Sequence, residues 1–116
     1  MKKKLLIYGA GAIGRGYLPW IFPDKFYDFY FVDTNELLIK NIRKKKYYQT
    51  FKISKNKYIS KKVFPKKIYF LNEEISDLNS FDLIVTCVGT RQAKNILKNI
   101  SAFKKNIICL ARAKNI

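Results

Sequence analysis

The residues of this 116-residue chain best suited to chemistry are three glycines and one carboxylate, not a nucleophile or an acid–base pair. Gly9-Ala10-Gly11-Ala12-Ile13-Gly14 is a GxGxxG run set between an apolar segment, Lys4 to Tyr8, and a stretch whose residues suit a helix. Each glycine has a mechanical task there. Gly9 permits a tight turn, Gly11 lets backbone approach a pyrophosphate, and Gly14 lets helix and strand pack closely. Amides at the helix start then face the phosphates, where the positive end of the helix dipole favours negative charge; Ala12 and Ile13 are expected cofactor contacts there, with Ile13 packing near the dinucleotide. Asp33 lies 19 residues beyond Gly14, at the end of the next apolar run. A carboxylate there can accept hydrogen bonds from both adenosine ribose hydroxyls and repels a 2′-phosphate, which favours NAD over NADP. The bland alternative is a glycine turn used only for packing.

Other candidates are weaker. Thr86, Val88 and Gly89 end the central strand at the carboxyl edge of the sheet, where all three are expected to touch the cofactor, the bland alternative being a strand-to-helix turn that needs a small residue. Arg15 is either a donor to the pyrophosphate or a solvated residue of the first helical turn. No metal-ligand cluster, catalytic triad or paired-carboxylate site is visible, the chain has no His, and no catalytic residue is assigned. Glu73-Glu74 reads as surface charge at a helix start.

The elements that must position these residues follow from periodicity and punctuation. Lys4–Tyr8 reads as a strand buried on both faces. A helix over Ala12–Phe22 places Ile13, Tyr17 and Trp20–Ile21 on one side and ends before Pro23. Phe26–Val32 is aromatic and β-branched, a second strand. Thr34 caps a helix with Leu37, Leu38 and Ile42 inward and Arg43-Lys44-Lys45-Lys46 in its last turn, favourable to the dipole. Tyr47–Ile53 and Tyr58–Phe64 alternate around Ser54-Lys55-Asn56-Lys57 as a hairpin. Strands over Lys67–Leu71, Phe81–Val88 and Asn106–Leu110, with a helix at Arg91–Ile100 turning Ala93, Ile96, Leu97 and Ile100 inward, complete an alternating βα order. That order implies a doubly wound parallel sheet, a Rossmann-like α/β fold, truncated and carrying an inserted β-hairpin at about 47–64.

Length and composition narrow the classes. The chain is one domain, residues 1–116. Its 24 Lys+Arg against 8 Asp+Glu give a formal charge of +16. Of the basic residues 20 are Lys, and the abundance of Lys, Ile, Asn, Phe and Tyr is what AT-rich codons encode. With 48% hydrophobic residues it can bury enough apolar surface to fold, and every apolar run is broken well short of a membrane span. Lys2-Lys3-Lys4 before an apolar run has the look of a signal peptide, but two glycines and Arg15 interrupt it. Cys87 and Cys109 sit in strand-like runs as two reduced core thiols, so the expected location is the cytoplasm. Between Lys40 and Lys67 stand 12 basic residues and no acidic one, interleaved with Tyr47, Tyr48, Phe51, Tyr58 and Phe64. Such a mixture can grip single-stranded nucleic acid. Alternation with aromatics on one face and lysines on the other also describes an ordinary solvated sheet, and the expectation is that reading, with no nucleic-acid partner.

Gly9-Ala10-Gly11-Ala12-Ile13-Gly14-Arg15-Gly16-Tyr17, Phe31-Val32-Asp33-Thr34-Asn35, the tyrosine-containing basic hairpin and Asp82-Leu83-Ile84-Val85-Thr86-Cys87-Val88-Gly89 together resemble the N-terminal Rossmann domain of the mannitol-1-phosphate 5-dehydrogenase and mannitol dehydrogenase family. The resemblance implies NAD-dependent hydride transfer between a polyol phosphate and a sugar phosphate. In that family a second, helical domain supplies a lysine, an asparagine and a histidine. The expectation is that no such C-terminal domain is present here and that the chain is inactive without a second domain; the expected partners are the dinucleotide and either a separate catalytic domain or further copies of the chain. Ala111-Arg112 stand where the family has Glu-Asn. The alternative class is a stand-alone nucleotide-sensing module.

Overall fold

The computed structural model describes residues 1–110, apart from the side chains of Ala12, Ile13 and Thr90. Five strands form one parallel sheet in the order β5-β2-β1-β6-β7, with β1 at Lys3–Tyr8, β2 at Tyr27–Asp33, β5 at Lys67–Phe70, β6 at Leu83–Thr86 and β7 at Asn106–Cys109. β3 (Tyr48–Ser54) and β4 (Lys57–Val63) pair with each other as a separate antiparallel ribbon. The helix after β1, α1, is wound as a π-helix over Ala12–Tyr17 and as an α-helix over Leu18–Ile21. α2 covers Glu36–Lys45 and α3 covers Thr90–Asn99. This is the Rossmann-like α/β sheet with an inserted hairpin that the βα alternation implies.

β1 is central, and its successive side chains serve two layers because they point to opposite faces. Leu5 and Ile7 pack with Phe29, Phe31 and Val85 beneath Leu18 of α1, Ile39 and Ile42 of α2 and Val63 of the ribbon. Leu6 and Tyr8 pack with Val32 and Ile84 beneath Ile96 and Ile100 of α3 and Phe103. A strand clad on both sides has no polar face to show, which is why Leu5, Leu6 and Ile7 are all fully buried.

Several local expectations need correction. In α1 the buried positions are Gly14, Leu18 and Pro19, whereas Tyr17 and Ile21 face solvent. Gly14 and Leu18, four residues apart, share the face that α1 turns to the sheet, and Tyr17 and Ile21 lie off it. In α2 the N-cap is Asn35, whose Oδ1 accepts from the Leu38 amide at 3.1 Å, and not Thr34. Ile39 and Ile42 are buried, Leu38 is half-buried, and Leu37 is exposed. Cys109 is exposed, because β7 is the sheet's edge strand, while Cys87 is half-buried; neither is in a disulfide. No helix starts at Glu73. Its Oε1 instead accepts from the Phe70 amide at 2.9 Å and from Arg43 Nη2 at 2.7 Å, while the same guanidinium donates to the Ile68 carbonyl. Arg43 thereby pins the end of β5 to α2. Among the described residues no helix is long and apolar enough to cross a membrane.

The ribbon is fastened to α1 by its inward face. Thr50 Oγ1 donates to the Gly16 carbonyl at 2.6 Å and accepts from Trp20 Nε1 at 3.3 Å. Lys52 and Lys61 lie 4.6 and 4.7 Å from the Trp20 ring, and Lys61 also donates to the Pro19 carbonyl. Tyr48 stacks edge-on against Phe31, its hydroxyl buried with no partner among the described residues, and burial pushes its phenol upward.

Two thermal-unfolding predictions follow from these contacts. Thr50→Val, close in shape, strips both hydrogen bonds from a buried site and should cost about 1–3 kcal/mol, with a shift in Trp20 fluorescence. Tyr48→Phe should be neutral or raise Tm, because it removes a polar group that pays desolvation with no partner. A second check is pH. The Phe70 amide first, and Arg43 second, hold the Glu73 carboxyl below its usual value, so its contribution is complete above the unfolded carboxyl pKa of 4.5 and disappears as pH falls through the depressed value. Glu73→Gln should flatten the decline of Tm in that acid window and leave neutral-pH stability little changed, since Glu73 is over a third exposed.

Candidate nucleotide-binding site

The cleft lies at the carboxyl edge of the sheet, where the chain leaves β1, β2 and β6 in succession. Gly9 makes the first turn at φ +95°, with its amide donating to the Val32 carbonyl at 2.8 Å. A Cβ at Gly9 would meet Val88 Cγ1 at 2.8 Å and the Cys87 carbonyl oxygen at 2.9 Å, so the β1 and β6 turns touch here. Gly14 is tighter still. A Cβ on it would lie 2.1 Å from the Gly9 carbonyl oxygen and 3.1 Å from Ile7 Cγ2, which means α1 is seated directly on the end of β1.

Gly11 differs from both. A Cβ there would project into open space with nothing within 4 Å, and the residue is exposed at the cleft wall. Protein packing gives no reason for glycine at this position.

Asp33 does more than stand at the end of β2. Its Oδ2 accepts from the Ala10 amide at 2.7 Å, and its Oδ1 accepts from the Thr34 amide at 2.6 Å and the Asn35 amide at 2.9 Å. The carboxylate ties the glycine turn to the β2–α2 turn. With two amides on Oδ1 and one on Oδ2, an acceptor direction on Oδ2 is left over.

Among the sequence-derived candidates, Gly9, Gly11, Asp33, Val88 and Gly89 line one cleft of about 380 Å³. Gly14 lies beneath it in the turn. The Ala12 and Ile13 backbones open α1, and their side chains lie outside the described residues, as do Ala111 and Arg112 altogether. Thr86 is buried rather than in the cleft wall, and its Oγ1 has no partner among the described residues. Arg15 sits 5.9 Å from the Tyr48 ring, on the ribbon side. Cys87 does line the cleft, but burial pushes its thiol up to about 11, so it is a neutral wall group and no nucleophile.

The sequence reading missed the opposite wall. Gln92, Asn95 and Asn99, at i, i+3 and i+7 on α3, face the cleft with Ile96 between them, and Leu71 closes the end beyond Asp33. A row of uncharged amides along one side of an otherwise lysine-bearing helix was the available signal. The cleft therefore has a backbone floor, a carboxylate at one side and an apolar and amide wall. No cluster of His, Cys, Asp or Glu among the described residues could hold a metal ion.

This arrangement can be compared with known proteins. The family model described as the mannitol dehydrogenase Rossmann domain matches residues 3–110. The chain belongs to the mannitol dehydrogenase family. A mannitol-1-phosphate 5-dehydrogenase from Caldanaerobacter subterraneus subsp. tengcongensis is 31% identical to it over 105 residues. That match covers 88% of this chain and 27% of the relative, so the chain spans about a quarter of the length of this curated protein. Within a mannitol dehydrogenase Rossmann domain, the turn glycines divide into those that packing demands and the one that packing leaves unexplained.

Substitution should separate the two kinds. Gly14→Ala forces a methyl group into the Gly9 carbonyl and should lower stability by at least about 1–3 kcal/mol. Gly11→Ala should leave the unfolding free energy within about 0.5 kcal/mol of wild type and act only on ligand affinity. Paired melting curves and nucleotide titrations of both variants provide the check.

Proposed function

We propose that the chain is the NAD-binding part of a mannitol-1-phosphate 5-dehydrogenase-like oxidoreductase. The observation that carries this reading is the open space above Gly11 beside the Asp33 carboxylate: backbone that a phosphate can approach, next to an acceptor suited to a ribose hydroxyl. In this reading Gly9, Gly11 and Gly14 shape the turn that holds the pyrophosphate, and the amides of Ala12 and Ile13 face it at the helix start. Asp33 accepts from the adenosine ribose through the free direction on Oδ2, and Val88 and Gly89 bound the cleft on the β6 side.

The bound dinucleotide would supply hydride exchange at its nicotinamide with a carbonyl or secondary alcohol. This chain's residues bind and orient it. No group among the described residues is assigned to proton transfer, and the lysine, asparagine and histidine that the family resemblance implies belong to a second, helical domain. We assign turnover to this domain acting together with such a unit, with polyol phosphate and sugar phosphate as the substrate pair.

Asp33 also decides between the two nicotinamide cofactors. A 2′-phosphate would be brought against a carboxylate already fixed by three amides, which cannot swing aside without releasing the turn. Calorimetric titration should therefore give tighter binding of NADH than NADPH, by about tenfold or more. Asp33→Asn keeps an oxygen for the Ala10 amide and should narrow that ratio. Binding of neither nucleotide at millimolar concentration would defeat the proposal; a preference for NADPH would defeat the role of Asp33 alone. Binding without turnover when a helical partner domain is supplied would favour the stand-alone sensor instead.

A further inference from the structure

The ribbon presents the opposite side chains to solvent from those that alternation with a buried aromatic face would give. Pairing of Thr50 with Lys61 and of Lys52 with Ile59 puts these residues on the inward face, around Trp20. Pairing of Phe51 with Ser60 and of Ile53 with Tyr58 puts those on the outward face. Phe51 is 53% exposed, Ile53 70% and Tyr58 76%, and Phe64 just beyond β4 is 62% exposed. Phe51 meets Tyr58 edge-on at 5.9 Å, and Phe64 lies 5.6 Å from Tyr47. Two aromatic pairs thus stand on an open two-stranded surface.

We propose that this outward face of the β3–β4 ribbon binds single-stranded nucleic acid, with Phe51, Tyr58 and Phe64 as stacking platforms and the neighbouring lysines on the phosphates. Charge complementarity selects this occupant. Lys55 sits in the ribbon's turn, Lys62 shares the outward face with Phe51 and Tyr58 and lies beside Tyr47, and Lys66 stands two residues beyond Phe64; all three are exposed. No acidic residue occurs from Lys40 to Lys67. A polyanion with flat, unpaired bases satisfies both halves of the surface, since stacking needs a π-face and phosphate needs only a cation. A second copy of the chain would set two such basic ribbons against each other. A duplex hides its base faces and leaves the aromatics idle. The surface lies apart from the cleft, because none of Phe51, Ile53, Tyr58 or Phe64 lines it.

The experiment is fluorescence anisotropy of the full chain with a labelled oligo(dT) of about 15 nucleotides, with a duplex of equal length, and in competition with polyglutamate. Binding should prefer the single strand, persist in excess NADH, and weaken with salt by a log–log slope of about −0.7 for each phosphate neutralised. Phe51→Ser with Tyr58→Ser should cost about tenfold or more in affinity at fixed salt with the slope unchanged. Lys55→Gln with Lys62→Gln and Lys66→Gln should make the slope shallower. These positions are exposed, and melting curves will confirm that the variants stay folded. Equal or better binding of duplex, full affinity in the serine variant, or no binding at low salt overturns the proposal. So does equal competition by polyglutamate, which would mark an acidic polypeptide as the partner, or self-association in sedimentation that the serine variant abolishes.

Discussion

The contact between Gly14 and the carbonyl of Gly9 is the constraint on which the rest of this structure depends. With a Cβ position 2.1 Å from that oxygen, α1 can begin only if residue 14 has no side chain, and only if Gly9 turns the chain at φ +95°. Seating the helix this low brings its first amides to the rim of the sheet. It also buries Leu18 over β1, and it fixes where Gly16, Pro19 and Trp20 meet the ribbon. A looser junction would lose the cleft floor and the ribbon's attachment together.

Asp33 completes the junction from the other side. Carboxylates that accept several backbone amides are fixed in position, and here the three amides come from the glycine turn and from the start of α2. One side chain thus ties two turns at the cleft together. The same economy recurs at Arg43, which holds the end of β5 through the Ile68 carbonyl and Glu73 and so positions Leu71 at the far end of the cleft.

The ribbon follows a different logic. Its inward face sends Tyr48 and Val63 into the core at one end and gathers Thr50 and two lysines on one indole further along, while Phe51, Ile53 and Tyr58 turn outward. Cation–π contacts let lysines pack where apolar residues would be expected, because the ammonium sits on the ring while the alkyl stem covers apolar surface. Period-two alternation is symmetric between such faces. It says that residues separate, and it does not say which set turns inward.

Local chemistry was enough to read the order of elements, the parallel sheet, the glycine turn and Asp33 from the sequence. GxGxxG after an apolar run admits few backbone solutions, and a strand clad on both faces must be apolar throughout. Tertiary contacts decided the remainder. The seating of Gly14 and Leu18 on β1 left Tyr17 and Ile21 outward, the edge position of β7 exposed Cys109, and the seating of α3 across the sheet brought Gln92, Asn95 and Asn99 to the cleft. The motif gave Gly11 and Gly14 separate tasks from spacing alone, but the distances behind them are tertiary: a Cβ on Gly14 would lie 2.1 Å from the Gly9 carbonyl oxygen and one on Gly11 would meet nothing within 4 Å, which holds only once α1 is seated on β1.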